Sequence, residues 1–173
     1  AAEETRTVAG FEAVALETSD RVRVELAESP SVRVSGSPRA IEAIETVLET
    51  RNGVPTLVIR SKHRAWFGSS SGVQVFVQGP RFQALSVAGS GQLEATLSNQ
   101  PALRLSMAGS GELRVRGVTT HRAEVNVAGS GDARVNARQR LRVNVAGSGD
   151  VRYTGAVKDV SSSVMGSGTV KRD

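Results

Sequence analysis

The chain has 173 residues, 39% hydrophobic and 3% aromatic, with 18 glycines, and its 22 Lys and Arg against 17 Asp and Glu give a formal charge of +5. That length and apolar content suit one core-bearing domain spanning 1–173, while the glycines lack collagen's period and no apolar run approaches the roughly 20 residues of a membrane helix. Cysteine is absent, which removes disulfide and thiol chemistry.

The opening Ala1-Ala2-Glu3-Glu4 has no initiator methionine and reads as the small, polar start of a chain matured by signal-peptide removal. Residues 1–80 read as early strands, a helix and a cap. Phe11, Val14 and Leu16, then Val22 to Leu26, then Val32 to Val34 alternate as short strands separated by Ser19-Asp20 and Ser29-Pro30, and resemble degenerate coils of a repeat. Ser37 is placed to N-cap a helix, with Pro38 at its first position. Residues 39–49 should continue that helix, because Ile41, Ile44, Val47 and Leu48 recur at helical spacing. Asn52-Gly53 marks a turn, Thr56 to Ile59 and Val73 to Val77 are further strands, and Gly79-Pro80 turns into the second half. Between those strands, His63-Arg64-Ala65-Trp66-Phe67 runs into a glycine-serine stretch. Trp66 and Phe67 are candidate ligand contacts in a partner- or membrane-touching loop, the plain alternative being packing within the cap.

From residue 81 the chain repeats. Gly-Ser-Gly triplets begin at Gly89, Gly109, Gly129, Gly147 and Gly166, spaced 20, 20, 18 and 19 residues apart, a period that signals a solenoid. Each is flanked by segments of period two. Ahead of the triplets, Leu85, Leu105, Val125 and Val143 form one inward column and Val87, Met107, Val127, Val145 and Val164 the next. Ser86, Ser106, Asn126, Asn144 and Ser163 make a polar column on the other side. Behind the triplets, Leu93, Leu113, Ala133, Val151 and Val170 point inward, as do Ala95, Val115, Val135 and Tyr153. Each unit thus reads strand, glycine corner, strand and variable link, such as Arg138-Gln139-Arg140. Glycine suits a corner where backbones must approach, and stacked units would pair equivalent strands in parallel at about 4.8 Å. The expected fold is an all-β parallel solenoid, right-handed by the general rule for parallel crossovers, with one short capping helix. A lone coil cannot bury enough to fold, so stability should be cooperative along the stack. At the far end the charges of Lys171, Arg172 and Asp173 discourage end-to-end pairing, yet self-association through that end stays open.

Charge is uneven. Residues 1–80 hold 9 basic and 10 acidic side chains and residues 81–173 hold 13 and 7, so the repeats carry the positive excess and suit an anionic partner such as a glycan or envelope polymer. Arg114, Arg134, Arg152 and Lys171 should stack as one outward column beside Glu112, Asp132 and Asp150. The basic column is a candidate ligand strip; the plain reading is an ionic lattice of little energetic weight. An acid–base or cation site on the same acids is a weaker reading than either. None of the triplets has the third glycine and following helix of a dinucleotide loop, and His63 and His121 lie far apart, with no nucleophile elbow anywhere. No catalytic, cofactor or metal residues are therefore expected. Nucleic acid is disfavoured by the lack of an aromatic ladder.

The units Ala128-Gly129-Ser130-Gly131-Asp132 and Ala146-Gly147-Ser148-Gly149-Asp150, together with Val8 to Phe11 and Pro55 to Ile59, are similar to the GIN domain, a bacterial family labelled an autotransporter adhesin head on architectural grounds. The resemblance covers nearly the whole chain. It implies an exported protein of the periplasm, outer membrane or cell surface with a β-helix-like fold, and it carries no catalytic motif. Together these features point to a non-enzymatic envelope module that binds through a basic face. The alternatives are a spacer or self-assembling scaffold and, below that, an enzyme cleaving acidic polysaccharide.

Overall fold

The computed structural model describes residues 2–62, 72–117 and 120–173. In the first half, β1 (Ala2–Arg6), β2 (Ala13–Leu16), β3 (Arg21–Leu26) and β4 (Ser31–Gly36) precede α1 (Pro38–Ala43), and β5 (Ile44–Arg51), β6 (Val54–Ser61) and β7 (Gln74–Gly79) follow it. The repeats supply β8 (Ala84–Gly89), β9 (Gln92–Leu97), β10 (Ala102–Gly109), β11 (Glu112–Gly117), β12 (Thr120–Gly129), β13 (Asp132–Gly147), β14 (Asp150–Thr154), β15 (Asp159–Met165) and β16 (Thr169–Arg172).

Alternation turns into two facing sheets. Strands ahead of the corners pair in parallel as sheet I, β8 with β10 and β10 with β12, in the register Leu85, Leu105, Val125. Strands behind the corners pair likewise as sheet II, with Leu93, Leu113 and Ala133 aligned. Up to Val151 the inward columns of both sheets are buried and meet in one hydrophobic cluster, while Tyr153 and Val170 are partly buried against it and Val164 is exposed. This is the expected β-solenoid. β13 belongs to both sheets: Asp132 to Asn136 pairs with β14, and Arg140 to Ala146 pairs with β15. The presumed link at Arg138-Gln139-Arg140 is therefore continuous strand, because the 18-residue unit is the shortest and has no residues to spare for a separate turn.

The glycine corners are backbone stacked on backbone. Gly109 sits at φ +110, where an added Cβ would lie 2.7 Å from the Gly89 carbonyl oxygen. At Gly131, with no positive φ, it would meet the Gly111 oxygen at 2.6 Å. The space is taken by hydrogen bonds: the Ser110 and Gly111 backbone N–H groups both donate to the Gly89 oxygen, at 3.1 and 2.9 Å.

The first half is threaded differently from its order in the chain. The coil β2–β3 is parallel to β6–β7 on one side and to β8–β9 on the other. After making that coil, the chain builds the end of the stack, adds β6–β7, and passes back over β2–β3 to start the repeats. The end strands reverse direction: β5 is antiparallel to β6, β4 to β7, and β1 to β4. Across that end lies α1, burying Ala40 and Ile41.

The helix is shorter than its sequence suggests. Ser37 caps it as expected, its hydroxyl accepting from the Ala40 N–H at 3.1 Å, and Pro38 opens it. It stops at Ala43, and residues 44–51 are strand β5. Ile44, Thr46, Val47 and Thr50 are β-branched and prefer extended backbone, and antiparallel pairing with β6 satisfies their backbone groups along the strand. At the helix end Arg6 donates its guanidinium to the carbonyl oxygens of Ile41 and of the C-cap residue Ile44, both at 2.9 Å. A cation at a helix C-terminus is favoured by charge as well as by hydrogen bonding.

Candidate functional site

Two outward surfaces carry the charge. On sheet II, register places Arg23, Glu94, Arg114, Arg134, Arg152 and Lys171 in a single column, one residue per coil. Neighbours in it are about 4.8 Å apart along the axis. The four predicted residues are thus adjacent, and the column extends past them to Arg23. Beyond Arg23 the register continues to Phe76 and then Arg33, whose guanidinium lies over the Phe76 ring 5.1 Å from its centre, a cation–π contact.

The acidic column beside it is in register too, Glu112 with Asp132 and Asp132 with Asp150. Its members are engaged locally. Glu112 pairs with Arg114, the Asp150 N–H donates to Asp132 at 3.3 Å, and the Thr169 hydroxyl donates to Asp150 at 2.6 Å. Arg152 reaches Asp173 at 3.7 Å. Arg134 and Lys171 make no ion pair among the described residues. Like charges directly opposite one another on a sheet are destabilising, so the Arg114, Arg134, Arg152 and Lys171 run is not explained by stability. Among the described residues no group of three His, Cys, Asp or Glu side chains is placed to hold a metal ion. His63, Trp66 and Phe67 lie outside the described residues.

The second charged surface lies on sheet I. Its outer face shows the predicted polar column Ser86, Ser106, Asn126, Asn144 and Ser163, with Asn144 donating its side-chain amide to Asn126 at 3.0 Å. Along the starts of the strands runs a trough of about 850 Å³. Arg51, Arg81, Arg104, Arg122, Arg140 and Arg142 line it, against Glu12 and Glu124. Sequence reading missed this surface. Its signal was available, since Arg104, Glu124 and Arg142 each immediately precede the inward residue of the Leu105, Val125, Val143 column, but the mixed signs hid it.

At the capped end an ion-pair network ties β5 to β6 and to the corner after β2. Arg51 contacts Glu17 at 2.8 Å and Glu49 at 3.1 Å, and Arg60 contacts Glu45 and Glu49, each at 2.8 Å. The Arg51 hydrogen bond, with the attraction of Arg51 and Arg60, holds the Glu49 carboxyl below its ordinary value. No helix among the described residues is long and apolar enough to cross a membrane.

The sequence matches the family described as "Putative auto-transporter adhesin, head GIN domain" over residues 10–120 and 98–157. In three dimensions it is similar to a "putative adhesin" from Bacteroides fragilis, with a TM-score of 0.60 at 15% identity, covering 99% of this chain and 96% of the other. A "putative cell adhesion protein" from Clostridium sporogenes has a TM-score of 0.49 at 14% identity, covering 99% of each chain. A "Putative lipid binding protein" from Parabacteroides distasonis has 0.41 at 21% identity, covering 99% and 96%. No curated protein matches the sequence significantly. The first of these likenesses speaks to the fold, and the family match to descent: the chain belongs to the GIN-domain family.

Proposed function

We propose that this protein is a non-enzymatic, adhesin-like module of the bacterial envelope, exported and acting as one solenoid domain, that holds an anionic polymer against its regular basic face. The observation that carries this reading is the sheet II column, in which Arg114, Arg134, Arg152 and Lys171 stand in four consecutive coils without an intervening acid. A flexible anionic chain laid along the axis meets a cation about every 4.8 Å there, and guanidinium groups offer forked hydrogen bonds to carboxylate or phosphate. The family description and the exposure of Arg134, Arg152 and Lys171 support binding over chemistry.

The test is co-sedimentation with bacterial envelope fractions and defined polyanions at low and high salt, using wild type and the variant Arg114→Ser, Arg134→Ser, Arg152→Ser, Lys171→Ser. Binding by wild type that weakens with salt and falls at least tenfold in the variant, at unchanged melting temperature, is the expected result. Retention of full binding by the variant would remove the column from the function.

A second reading, assembly between copies, is favoured by one observation. The inward residues Val160 and Val164 of the last coil are uncovered, exposed at 40% and 39%. Light scattering decides it: growth with concentration, abolished by Val164→Asp, supports assembly, and a constant monomer mass opposes it.

A further inference from the structure

We propose that the trough on the outer face of sheet I is a second, separate site, which takes a linear polysaccharide bearing carboxylate groups. The trough crosses β6, β2, β8, β10, β12 and β13, which are consecutive in the sheet, so it extends about 24 Å along the stacking axis. That shape suits a stretch of extended polymer rather than a compact small molecule.

Its charge is organised by the stack. Arg81 lies just before β8, Arg104 on β10, Arg122 on β12, and Arg140 and Arg142 on β13, so four consecutive coils each contribute cation. Arg122 and Arg140 are register partners, about 4.8 Å apart along the axis, while Arg104 and Arg142 flank Glu124 and lie about 9.6 Å apart. Glu124 pairs with Arg104 at 3.4 Å and Asp159 with Arg140 at 3.5 Å. Arg81, Arg122 and Arg142 are exposed and have no ion-pair partner among the described residues. Those three are the guanidinium groups offered to a ligand.

The floor selects the rest of the ligand. It is made by the small side chains of Ala84 and Ala102, with the hydroxyls of Ser86 and Ser106 beside them. Such a surface accepts the apolar face of a sugar ring and hydrogen-bonds its hydroxyls. Phe82 lies beneath, 1% exposed, so among the described residues the trough presents no aromatic platform for stacking nucleobases. Among the described residues, the exposed large apolar side chains, Leu48, Val160, Val164 and Met165, are all on the first or last strands of sheet I rather than in the trough, which argues against a lipid surface as the occupant. One buried side chain shapes the wall. Gln100 accepts from the Phe82 N–H at 3.1 Å and donates to the Ser98 oxygen at 2.8 Å, fixing the turn ahead of Pro101 at the trough's edge.

This proposal rests on the reading of the chain as a polyanion-binding module, and one experiment separates the two. Calorimetric titration uses oligogalacturonate as the carboxylated probe, with neutral dextran, a single-stranded oligodeoxynucleotide and phosphatidylglycerol-containing vesicles as comparators. Three proteins are compared: wild type, the sheet II variant lacking Arg114, Arg134, Arg152 and Lys171, and a trough variant, Arg81→Ser, Arg122→Ser, Arg142→Ser. The expected result is a tenfold or greater loss for oligogalacturonate in the trough variant, retention of at least half the affinity in the sheet II variant, and weaker binding of every comparator by wild type. Loss in the sheet II variant alone overturns the trough site and leaves the functional reading standing. Equal loss in both variants reduces the trough to bulk charge, and absence of any wild-type binding overturns both proposals. Tighter binding of the oligonucleotide or the vesicles overturns the choice of ligand. If the trough variant melts early, Ala102→Glu at an exposed position of β10 replaces it, with the same loss expected.

Discussion

Alanine at Gly89 and at Gly129 should have different costs for a reason visible only in the stack. The two glycines have nearly the same backbone conformation, φ +114 and +111, so an added Cβ brings the same local strain to both, of about 1–3 kcal/mol. At Gly89 the Cβ has nothing within 4 Å, whereas at Gly129 it would lie 2.7 Å from the Gly109 oxygen. Reaching ordinary van der Waals contact requires the corners to separate by roughly 0.7 Å. That movement stretches two hydrogen bonds to the same oxygen, from the Ser130 N–H at 3.1 Å and the Gly131 N–H at 2.9 Å, past useful length. At a net 0.5–1.5 kcal/mol each, Gly129→Ala should be about 1–3 kcal/mol less stable than Gly89→Ala. For a chain of this size that is a further fall in melting temperature of roughly 2–12 °C. Thermal unfolding by far-ultraviolet circular dichroism, with urea midpoints as a second measure, reads the difference directly. Equal melting temperatures for the two variants would refute the claim that backbone contact between coils, rather than the dihedral angle alone, demands glycine at the corner.

Three further outcomes are expected. Ser37→Ala removes the cap on α1 and should cost about 0.5–2 kcal/mol, read as a lower urea midpoint with an unchanged slope. Gln100→Ala leaves the buried Phe82 N–H without its acceptor, a loss of about 1–3 kcal/mol in the same assay; a neutral result would mean that the wall does not depend on this bond. Glu49 has a lowered carboxyl pKa in the fold, mainly through the Arg51 hydrogen bond, so its ionised form stabilises the native state above the unfolded carboxyl's pKa, and that contribution is lost as pH falls through the lowered native value. Wild type should therefore melt above Glu49→Gln at pH 7 and converge with it in acid, and a gap that widens on acidification would contradict the ion-pair assignment.

The repeats were legible because their information is local. Period two places Leu85 and Val87 inward and Ser86 outward whatever the neighbours are, and the regular glycine spacing carries that pattern from coil to coil. The column of Arg114, Arg134, Arg152 and Lys171 followed from the same register. Reading failed where pairing partners mattered. Ile44, Val47 and Leu48 fit a helical stripe, yet β6 lies alongside and takes Ile44 to Arg51 as an antiparallel strand. The three residues assigned to a link became the middle of β13 for want of slack. The trough escaped because its arginines come from strand starts on different coils, with Glu124 interrupting the run.

Sequence alone determined the repeating coil, its inward and outward columns and its glycine corners, since side-chain alternation and the space needed by a Cβ are properties of each short segment. Only tertiary structure decided that the first coil is inserted between β6–β7 and β8–β9, that the end is closed by reversed strands and a six-residue helix, and that scattered arginines form a groove. Those features depend on which backbone edges find one another, and many strands of similar pattern offer equivalent edges until the whole stack has formed.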